Sequence, residues 1–271
     1  MSSSTITIYT EDEIVRLREG GKLLFSILQT LQKETVAGMS TLDIHTRALE
    51  LCQDVEATPA FLGYAPEGAK RPFPGALCIS INEEVVHGIP NENPKVLKDG
   101  DVVVLDMGLQ YKGMYTDSAI TLVVGGDEKN PTGARMIAVA TEALAAAIAS
   151  IKPGVRTGTV GSVIESVVKD SHTHTHKFSL PFELGGHGIG HHVHEDPFMP
   201  NFGKKGTGPI LREGMVLAIE PILTEKSSRM RLSKDGYTYV TSDGKLSVHV
   251  EHTLVVTKDG CEVLTRGHLL T

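Results

Sequence analysis

The sequence has no tryptophan and only three cysteines, Cys52, Cys78 and Cys261. They are too few and too irregularly spaced for a disulfide framework or a cysteine zinc site, and they fit a reducing compartment. The N-terminal residues 1–13 lack the apolar segment of a signal peptide. The most apolar helical run, at 143–149, is much shorter than the roughly 20 residues that span a bilayer. We expect a cytoplasmic protein without a membrane segment.

The chain also lacks an excess of basic residues. Its net charge of −7 argues against a general nucleic-acid surface, and no direct nucleic-acid site is predicted. With 271 residues, of which 40% are hydrophobic and 22% charged, it can form one large or two small domains with a full core. Because its two halves share a sequence pattern, we favour a single domain over residues 1–271, with halves at about 10–125 and 130–265.

Residues 102–124 read VVVLDMGLQYKGMYTDSAITLVV and predict two apolar strands that turn at Lys112 and Gly113. In that register residue 106 pairs with 119, so that Asp106 and Asp117 share a face on a diagonal, roughly 7–8 Å apart at Cα. Two ionised carboxylates in an apolar setting repel each other and lose hydration, so they need a cation. A turn of odd length would instead put them on opposite faces, with Asp117 towards water.

A second segment repeats this pattern. Residues 96–106 read VLKDGDVVVLD, and residues 210–220 read ILREGMVLAIE. Residues 38–44 likewise resemble 154–160, and the string His-Gly-Ile occurs at 87–89 and at 187–189. Three matches in the same order indicate an internal duplication. Asp106 and Glu220 would then end equivalent strands, and a pseudo-twofold arrangement could bring them to one site.

Helices are predicted after two capping boxes, Thr10–Glu13 and Ser40–Asp43, and at 132–151 and 157–170. Residues 58–76, rich in Pro, Gly and Ala, read as a loop, and 77–81 as a short strand. The order of two helices and strands, repeated once, predicts an α+β fold in which paired helices cover one face of an antiparallel sheet.

Histidines and further carboxylates cluster in the second half. Residues 185–197 read GGHGIGHHVHEDP and combine His187 and His194 with several glycines. Glycines let the backbone pass close to other groups, as a crowded site requires. Glu251 lies inside the apolar strand 247–256. Structural ion pairing is the alternative for such acids, but their strands carry no Lys or Arg, so we predict a metal site. The HTHTH run at 172–176 is interpreted instead as a surface loop with adventitious metal affinity.

The predicted donor set is rich in oxygen and has no thiolate pattern. It suits Mn²⁺, Fe²⁺, Co²⁺ or Zn²⁺ better than a structural zinc site. Four carboxylates suffice for two ions ~3.5–4 Å apart, which would activate water for hydrolysis of an amide or a phosphate ester. The negative net charge and the absence of basic residues from these motifs argue against phosphate substrates.

These motifs together resemble type I methionine aminopeptidases over nearly the whole chain. The matching segments are Asp106 to Asp117, Gly186–Gly190 with His194–Pro197, Ile219–Pro221, Val250–Thr253, His87–Pro90 and Cys78–Asn82. The resemblance implies the pita-bread fold, a pseudo-twofold duplication with a curved antiparallel sheet covered by two pairs of helices. It also implies two divalent ions per chain and removal of the N-terminal Met from nascent proteins with a small second residue.

The resemblance further assigns roles to single residues. Asp106 would bind one ion, His187 and Glu220 the other, and Asp117 and Glu251 would bridge them. Glu220 would also handle the proton of the attacking water. His194 would hold the scissile carbonyl or its oxyanion, and His87 would contact the substrate backbone and assist the leaving amine. The remaining substrate-binding residues are Tyr64, Cys78, Val193 and Tyr237. The resemblance implies N-termini of nascent polypeptides as partners, in a setting near the ribosome, and we expect a monomer.

The chain departs from this family at several positions. Gly108 replaces a frequent hydroxyl residue, Val193 a common Phe and Tyr237 a common Trp, and the segments 65–76 and 171–184 look longer than in compact members. The string from Val193 to Glu195 is closer to Xaa-Pro aminopeptidases and prolidases, which share the fold but usually carry an extra N-terminal domain. A proline-specific peptidase stays open as an alternative. So does a metal-free binding module of this fold, although such proteins lose ligands and all five are present here.

Overall fold

The protein is described from a computed structural model that covers residues 6–66, 68–172 and 177–267. Of the HTHTH run only His172 lies within these residues, and its Nε2 lies 3.0 Å from the carbonyl oxygen of Phe178. The interpretation of that run as a surface loop therefore lies, for the most part, outside the described residues.

Four α-helices and one short 3₁₀ helix (Asp127–Lys129) occur in the described chain, and both predicted capping boxes begin an α-helix. Thr10 precedes α1 and Ser40 precedes α2, and each side chain accepts from the third helical N–H while the acid at that position accepts from the cap. These reciprocal bonds satisfy backbone donors that a helix leaves free at its start. The helices are α1 (Glu11–Glu34), α2 (Thr41–Asp54), α3 (Pro131–Ser150) and α4 (Thr157–Asp170).

Helix α3 is the one helix of the described residues that is long and apolar enough, by length and composition, to cross a membrane. Its apolar stretch thus extends beyond the run at 143–149 on which the sequence expectation rested. Val139 and Leu144 of α3 lie in the hydrophobic core together with Val160 and Ile164 of α4. A buried core helix passes the same test, so this finding is weak evidence for a membrane span.

Across the described residues nine strands form one antiparallel sheet, in the order β1-β4-β5-β13-β8-β6-β7, with β2 beside β4 and β14 beside β13. Two small sheets, β10-β11-β3 and β12-β9, lie outside it. The strands of the first half are β1 (Thr58–Pro59), β2 (Cys78–Ile81), β3 (Glu84–Val86), β4 (Val102–Tyr111) and β5 (Met114–Val123). Those of the second half are β6 (Gly185–Gly188), β7 (Glu195–Pro200), β8 (Val216–Ile219), β9 (Ile222–Thr224), β10 (Met230–Leu232), β11 (Tyr239–Thr241), β12 (Ser247–His249), β13 (Glu251–Val256) and β14 (Cys261–Val263).

The hairpin of β4 and β5 has the predicted register. Tyr111 pairs with Met114, and Asp106 pairs with Ala119. The turn consists of Lys112 and Gly113, whose φ angles of 48° and 77° are both left-handed, as a tight two-residue hairpin turn requires. Because this turn has an even length, Asp106 and Asp117 point to the same face of the sheet.

The centre of the sheet brings the two sequence repeats together. Strand β5 pairs with β13, so that the pair β4-β5 lies beside the pair β13-β8. One core packs α1 and α2 against β4, and another packs α3 and α4 against β8 and β13. The α+β architecture predicted from the sequence is confirmed. The half boundaries at 10–125 and 130–265 stay a prediction, which this strand order favours.

Candidate metal centre

All seven predicted metal-binding and catalytic residues line one cavity of about 330 Å³. They come from different elements, which the sheet order brings to one place. Asp106 and Asp117 lie on the central hairpin. Glu251 begins β13, which pairs with β5 of that hairpin, and Glu220 directly follows β8, which pairs with β13. The cavity wall includes Asp106, Asp117, His187, Glu220, Glu251, His87 and His194.

The most compact group of donors consists of Asp117, His187 and Glu251, whose ligand atoms lie within 4.8 Å of one another. Glu220 joins them through its Oε1, which lies 3.7 Å from Nε2 of His187. Asp106 lies next to Asp117 on the shared face of the hairpin. Carboxylate oxygens and one imidazole at such separations match a centre for divalent metal.

The tautomer of His187 follows from its backbone neighbour. Its Nδ1 lies 2.9 Å from the carbonyl oxygen of Gly188, which can only accept a hydrogen bond, so Nδ1 carries the proton. Nε2 is then left with a lone pair towards Glu220, as in most metal-binding histidines. The strand that holds His187 is crowded, because a Cβ on Gly186 would lie 2.0 Å from the carbonyl oxygen of Ala218. This explains the glycines around the histidine.

The charges of the site call for a cation. Burial raises the pKa of Asp117 to about 7, and burial together with Asp117 raises the pKa of Glu220 to about 8. The pKa values of Asp106 and Glu251 are also well above normal, first through burial and then through the other carboxylates. Burial lowers the pKa of His187 to about 3. Buried acids that repel one another become ionised when a metal ion offsets their charge.

Unpartnered atoms support the same conclusion. Oδ1 of Asp117 and Oε1 of Glu251 are buried and have no hydrogen-bond partner among the described residues. Nor does any described Lys or Arg lie within 4 Å of the four site carboxylates, whose ion-pair contacts are with histidines. Buried polar atoms without partners are rare in native proteins. The residues present therefore fit the divalent ions that the sequence predicts.

His87 and His194 also line the cavity, and their predicted roles towards the substrate stay a prediction. His87 has a left-handed backbone with φ of 61°, a conformation that costs energy in a residue other than glycine. The next residue, Gly88, packs closely against the chain, because a Cβ there would lie 2.1 Å from the carbonyl oxygen of Ile79. The hydroxyl of Thr238 also donates to the His87 carbonyl. The ring of His194 lies 4.5 Å from that of His187, centroid to centroid.

An apolar pocket adjoins the metal-binding residues. Its lining includes Tyr64, Cys78 and Tyr237 of the predicted substrate-binding set, together with Phe61 and Phe73. Val193 is buried at 3% exposure in the same apolar cluster, but it is not among the residues that line the cavity. It therefore lies behind the wall rather than on it.

Two departures from the family pattern have structural explanations. Gly108 lies under Phe61, whose ring would be 2.7 Å from a Cβ at that position, so a side chain there would push into the pocket wall. Tyr237 donates its hydroxyl to the carbonyl oxygen of Arg71 in the long 65–76 segment. Phe73 of that segment packs edge-on against the Tyr237 ring, at 5.2 Å between centroids. Tyr237 thus attaches this segment to the cavity.

Of the four histidines that line the cavity, sequence reasoning missed one, His249. Its Nε2 lies 3.5 Å from Oε2 of Glu220 and 3.7 Å from Oε2 of Glu251. Burial, and then His87, lowers its pKa to about 3. The signal was present, since His249 stands two positions before Glu251 and side chains at that spacing share a strand face.

Known proteins match this chain over nearly its full length. It is 39% identical over 261 residues to the methionine aminopeptidase of Mycoplasma capricolum, covering 96% of this chain and 98% of that protein. The crystal structure of methionine aminopeptidase from Thermotoga maritima has a TM-score of 0.90 and 40% identity, and covers 97% of this chain and 100% of that one.

A more distant likeness concerns the fold alone. The prolidase from Pyrococcus horikoshii has a TM-score of 0.68 and 24% identity, and the match covers 96% of this chain and 64% of the prolidase chain. These solved structures confirm the predicted pita-bread fold. The sequence model of metallopeptidase family M24 matches residues 15–258, and the chain belongs to this family.

Proposed function

We infer that the protein is a metal-dependent methionine aminopeptidase, a hydrolase that removes the N-terminal methionine from polypeptides. The observation that carries this conclusion is the set of four carboxylates and His187 on one cavity, without a Lys or Arg partner among the described residues. Its family and its full-length likeness to enzymes named methionine aminopeptidase support the same activity.

Two divalent ions per chain are proposed for the centre. Asp106 would bind one ion, His187 and Glu220 the other, and Asp117 and Glu251 would bridge. Oxygen donors with one imidazole suit Co²⁺, Mn²⁺, Fe²⁺ or Zn²⁺. When bound, such ions supply a nucleophilic water near neutral pH and polarise the scissile carbonyl.

The protein side chains supply the remaining steps. Glu220, which lines the cavity, takes up the proton of the attacking water, because a carboxylate within reach of the water can act as general base. His194 holds the carbonyl oxygen of the scissile bond as negative charge develops on it. His87, with its restrained backbone, contacts the substrate main chain and assists the leaving amine.

The substrate would be the N-terminus of a nascent polypeptide with a small second residue. The methionine side chain fits the apolar pocket, where Cys78 offers a polarisable surface for the thioether. Tyr64 and Tyr237 line the same pocket. A monomer working in the cytoplasm, on chains close to the ribosome, is the proposed setting.

The alternatives receive less support. A proline-specific peptidase rests on Val193–Glu195 and on a prolidase likeness that shows the fold only. A metal-free binding module is disfavoured because all five predicted ligands line the cavity, with buried oxygens that have no partner among the described residues.

Peptide cleavage after metal removal tests the function directly. The purified protein is freed of metal by chelation, and Mn²⁺, Fe²⁺, Co²⁺ or Zn²⁺ is added back singly with Met-Ala or Xaa-Pro peptides as substrates. We expect no cleavage without metal, and release of Met from Met-Ala peptides after re-addition. Preferential cleavage of Xaa-Pro peptides would establish the proline-specific alternative, and full activity without metal would overturn the metallopeptidase mechanism.

A further inference from the structure

His249 is a buried histidine that the five predicted ligands do not include. Its side chain is 3% exposed, and neither ring nitrogen has a hydrogen-bond partner among the described residues. A buried polar group without a partner loses its hydration without compensation, and native proteins seldom keep one without a use. The ring also lines the cavity of the metal centre.

The backbone of His249 is fixed on two sides. Its N–H donates to Oγ1 of Thr121 at 3.2 Å, and its carbonyl oxygen accepts from the same hydroxyl. In the small β12-β9 sheet it pairs with Ile222, two positions after Glu220. Glu251 follows two positions after His249 on the chain. This register holds the ring beside both glutamates.

The imidazole faces one oxygen of each glutamate. Nε2 lies 3.5 Å from Oε2 of Glu220 and 3.7 Å from Oε2 of Glu251. These separations exceed an ordinary hydrogen bond of about 2.7–3.2 Å, so the contacts are electrostatic. The other oxygen of Glu220 faces His187 at 3.7 Å. Glu220 therefore has an imidazole beside each of its two oxygens.

We propose that His249 is a positioning residue of the metal centre, an inference that rests on the proposed function. Its Nε2–H attracts the facing oxygens of Glu220 and Glu251 and so fixes the rotation of both carboxylates. Their other oxygens are thereby presented to the ions. Residues that orient metal ligands in this way typically change metal affinity by about 10–100-fold when they are removed.

Direct coordination by His249 is the alternative role. The compact donor group within 4.8 Å consists of Asp117, His187 and Glu251. Nε2 of His249 lies 3.7 Å from Oε2 of Glu251, one member of this group. The two roles differ in a measurable way, because loss of a ligand changes the coordination of the ion, whereas loss of a positioning contact leaves the same donor atoms in place.

Metal titration of the whole enzyme tests the proposal. Metal-free wild type, His249→Leu and His249→Gln are titrated with Mn²⁺ by calorimetry, and visible spectra are recorded with Co²⁺. We expect His249→Leu to bind Mn²⁺ about 10–100-fold more weakly. His249→Gln keeps an N–H donor and should bind within about 3-fold of wild type, as the role of a hydrogen donor requires. The Co²⁺ spectrum should be the same in all three proteins.

The control is His45→Leu, which also removes a buried imidazole, but in α2, where His45 accepts from the N–H of Ala76. It should leave Mn²⁺ affinity unchanged. If His249→Leu does not fold, as judged by thermal unfolding, His249→Phe replaces it as the variant without an N–H. Wild-type affinity in that variant would show that His249 only fills space, and a changed Co²⁺ spectrum in His249→Gln would make it a ligand. Either result overturns the proposal, while a wild type that binds no metal overturns the proposed function itself.

Discussion

The hydroxyl of Tyr64 lies 2.8 Å from Nδ1 of His194, a contact between positions 130 apart in the sequence. The two rings are 5.4 Å apart at their centroids. Tyr64 stands in the segment after β1, and His194 stands just before β7, so the bond joins the two halves of the chain. If the Tyr64 hydroxyl donates to Nδ1, Nε2 of His194 carries the proton, as the proposed contact with the substrate carbonyl requires.

Replacement of His194 should therefore separate catalysis from metal binding. In His194→Ala we expect kcat to fall by about 10²–10³, because the developing oxyanion loses a donor. Tyr64→Phe keeps the imidazole but frees its orientation, and should cost about 2–10-fold, equivalent to one hydrogen bond of ~0.5–1.5 kcal/mol. The measurements are steady-state kinetics on a Met-Ala peptide and the metal content of each variant. A His194→Ala protein that loses most of its metal would show that His194 is a ligand.

Replacement of the proposed bridging ligands should instead reduce metal binding and catalysis together. Asp117→Ala and Glu251→Ala each remove a proposed bridging carboxylate and leave the remaining acids around an ion that they hold less well. We expect metal affinity and activity to fall steeply together. After exhaustive chelation and re-addition of one metal, metal content and kcat are measured on the same samples, with His45→Leu as the control. Full activity in either variant would refute the assigned ligand set.

Two helix starts, the hairpin register and the placement of Asp106 and Asp117 could be predicted from the sequence, because they depend on local rules. The caps at Thr10 and Ser40 fix where two helices begin, and the two-residue turn at Lys112 and Gly113 fixes the hairpin register. Since the register decides which side chains share a face, the joint placement of Asp106 and Asp117 follows from the turn alone.

The remaining parts depend on contacts between distant segments, which no local rule sets. Val193 packs behind the wall in one apolar cluster with Phe61 and Phe73, and its predicted role in substrate binding stays a prediction. The contact of Tyr64 with His194 requires the folded positions of two loops. The sequence places His249 only two positions before Glu251, but its approach to Glu220 follows from the pairing of β12 with β9.

Gly108 offers a test of how closely the pocket wall is packed. It pairs with Asp117 across the hairpin, and a Cβ would lie 2.7 Å from the Phe61 ring and 2.9 Å from Cβ of Ala60. Gly108→Ser should therefore displace Phe61 and narrow the pocket, with a stability loss of about 1–3 kcal/mol from overpacking. Chemical denaturation and kcat/KM for Met-Ala peptides measure the two effects. The control is Gly113→Asn. The Cβ position of this turn glycine has open space around it, and asparagine tolerates the left-handed backbone there. Unchanged stability and kcat/KM in Gly108→Ser would show that Phe61 and Ala60 move aside without loss of stability or activity.

Val193 and Tyr237 are smaller than the Phe and Trp that the sequence resemblance leads us to expect at these positions, so the pocket should discriminate less between apolar side chains. Differences of one methylene are worth only about 1–3 kcal/mol even in a tight pocket. We expect a preference for Met, with high relative activity on norleucine and Leu. Because Val193 packs with Phe61, Phe73 and Cys78 behind the lining, Val193→Phe should press this wall inward and raise the Met/Leu ratio. The test is kcat/KM for Met-Ala, norleucine-Ala and Leu-Ala peptides on both proteins, and an unchanged ratio would show that Val193 does not shape the pocket.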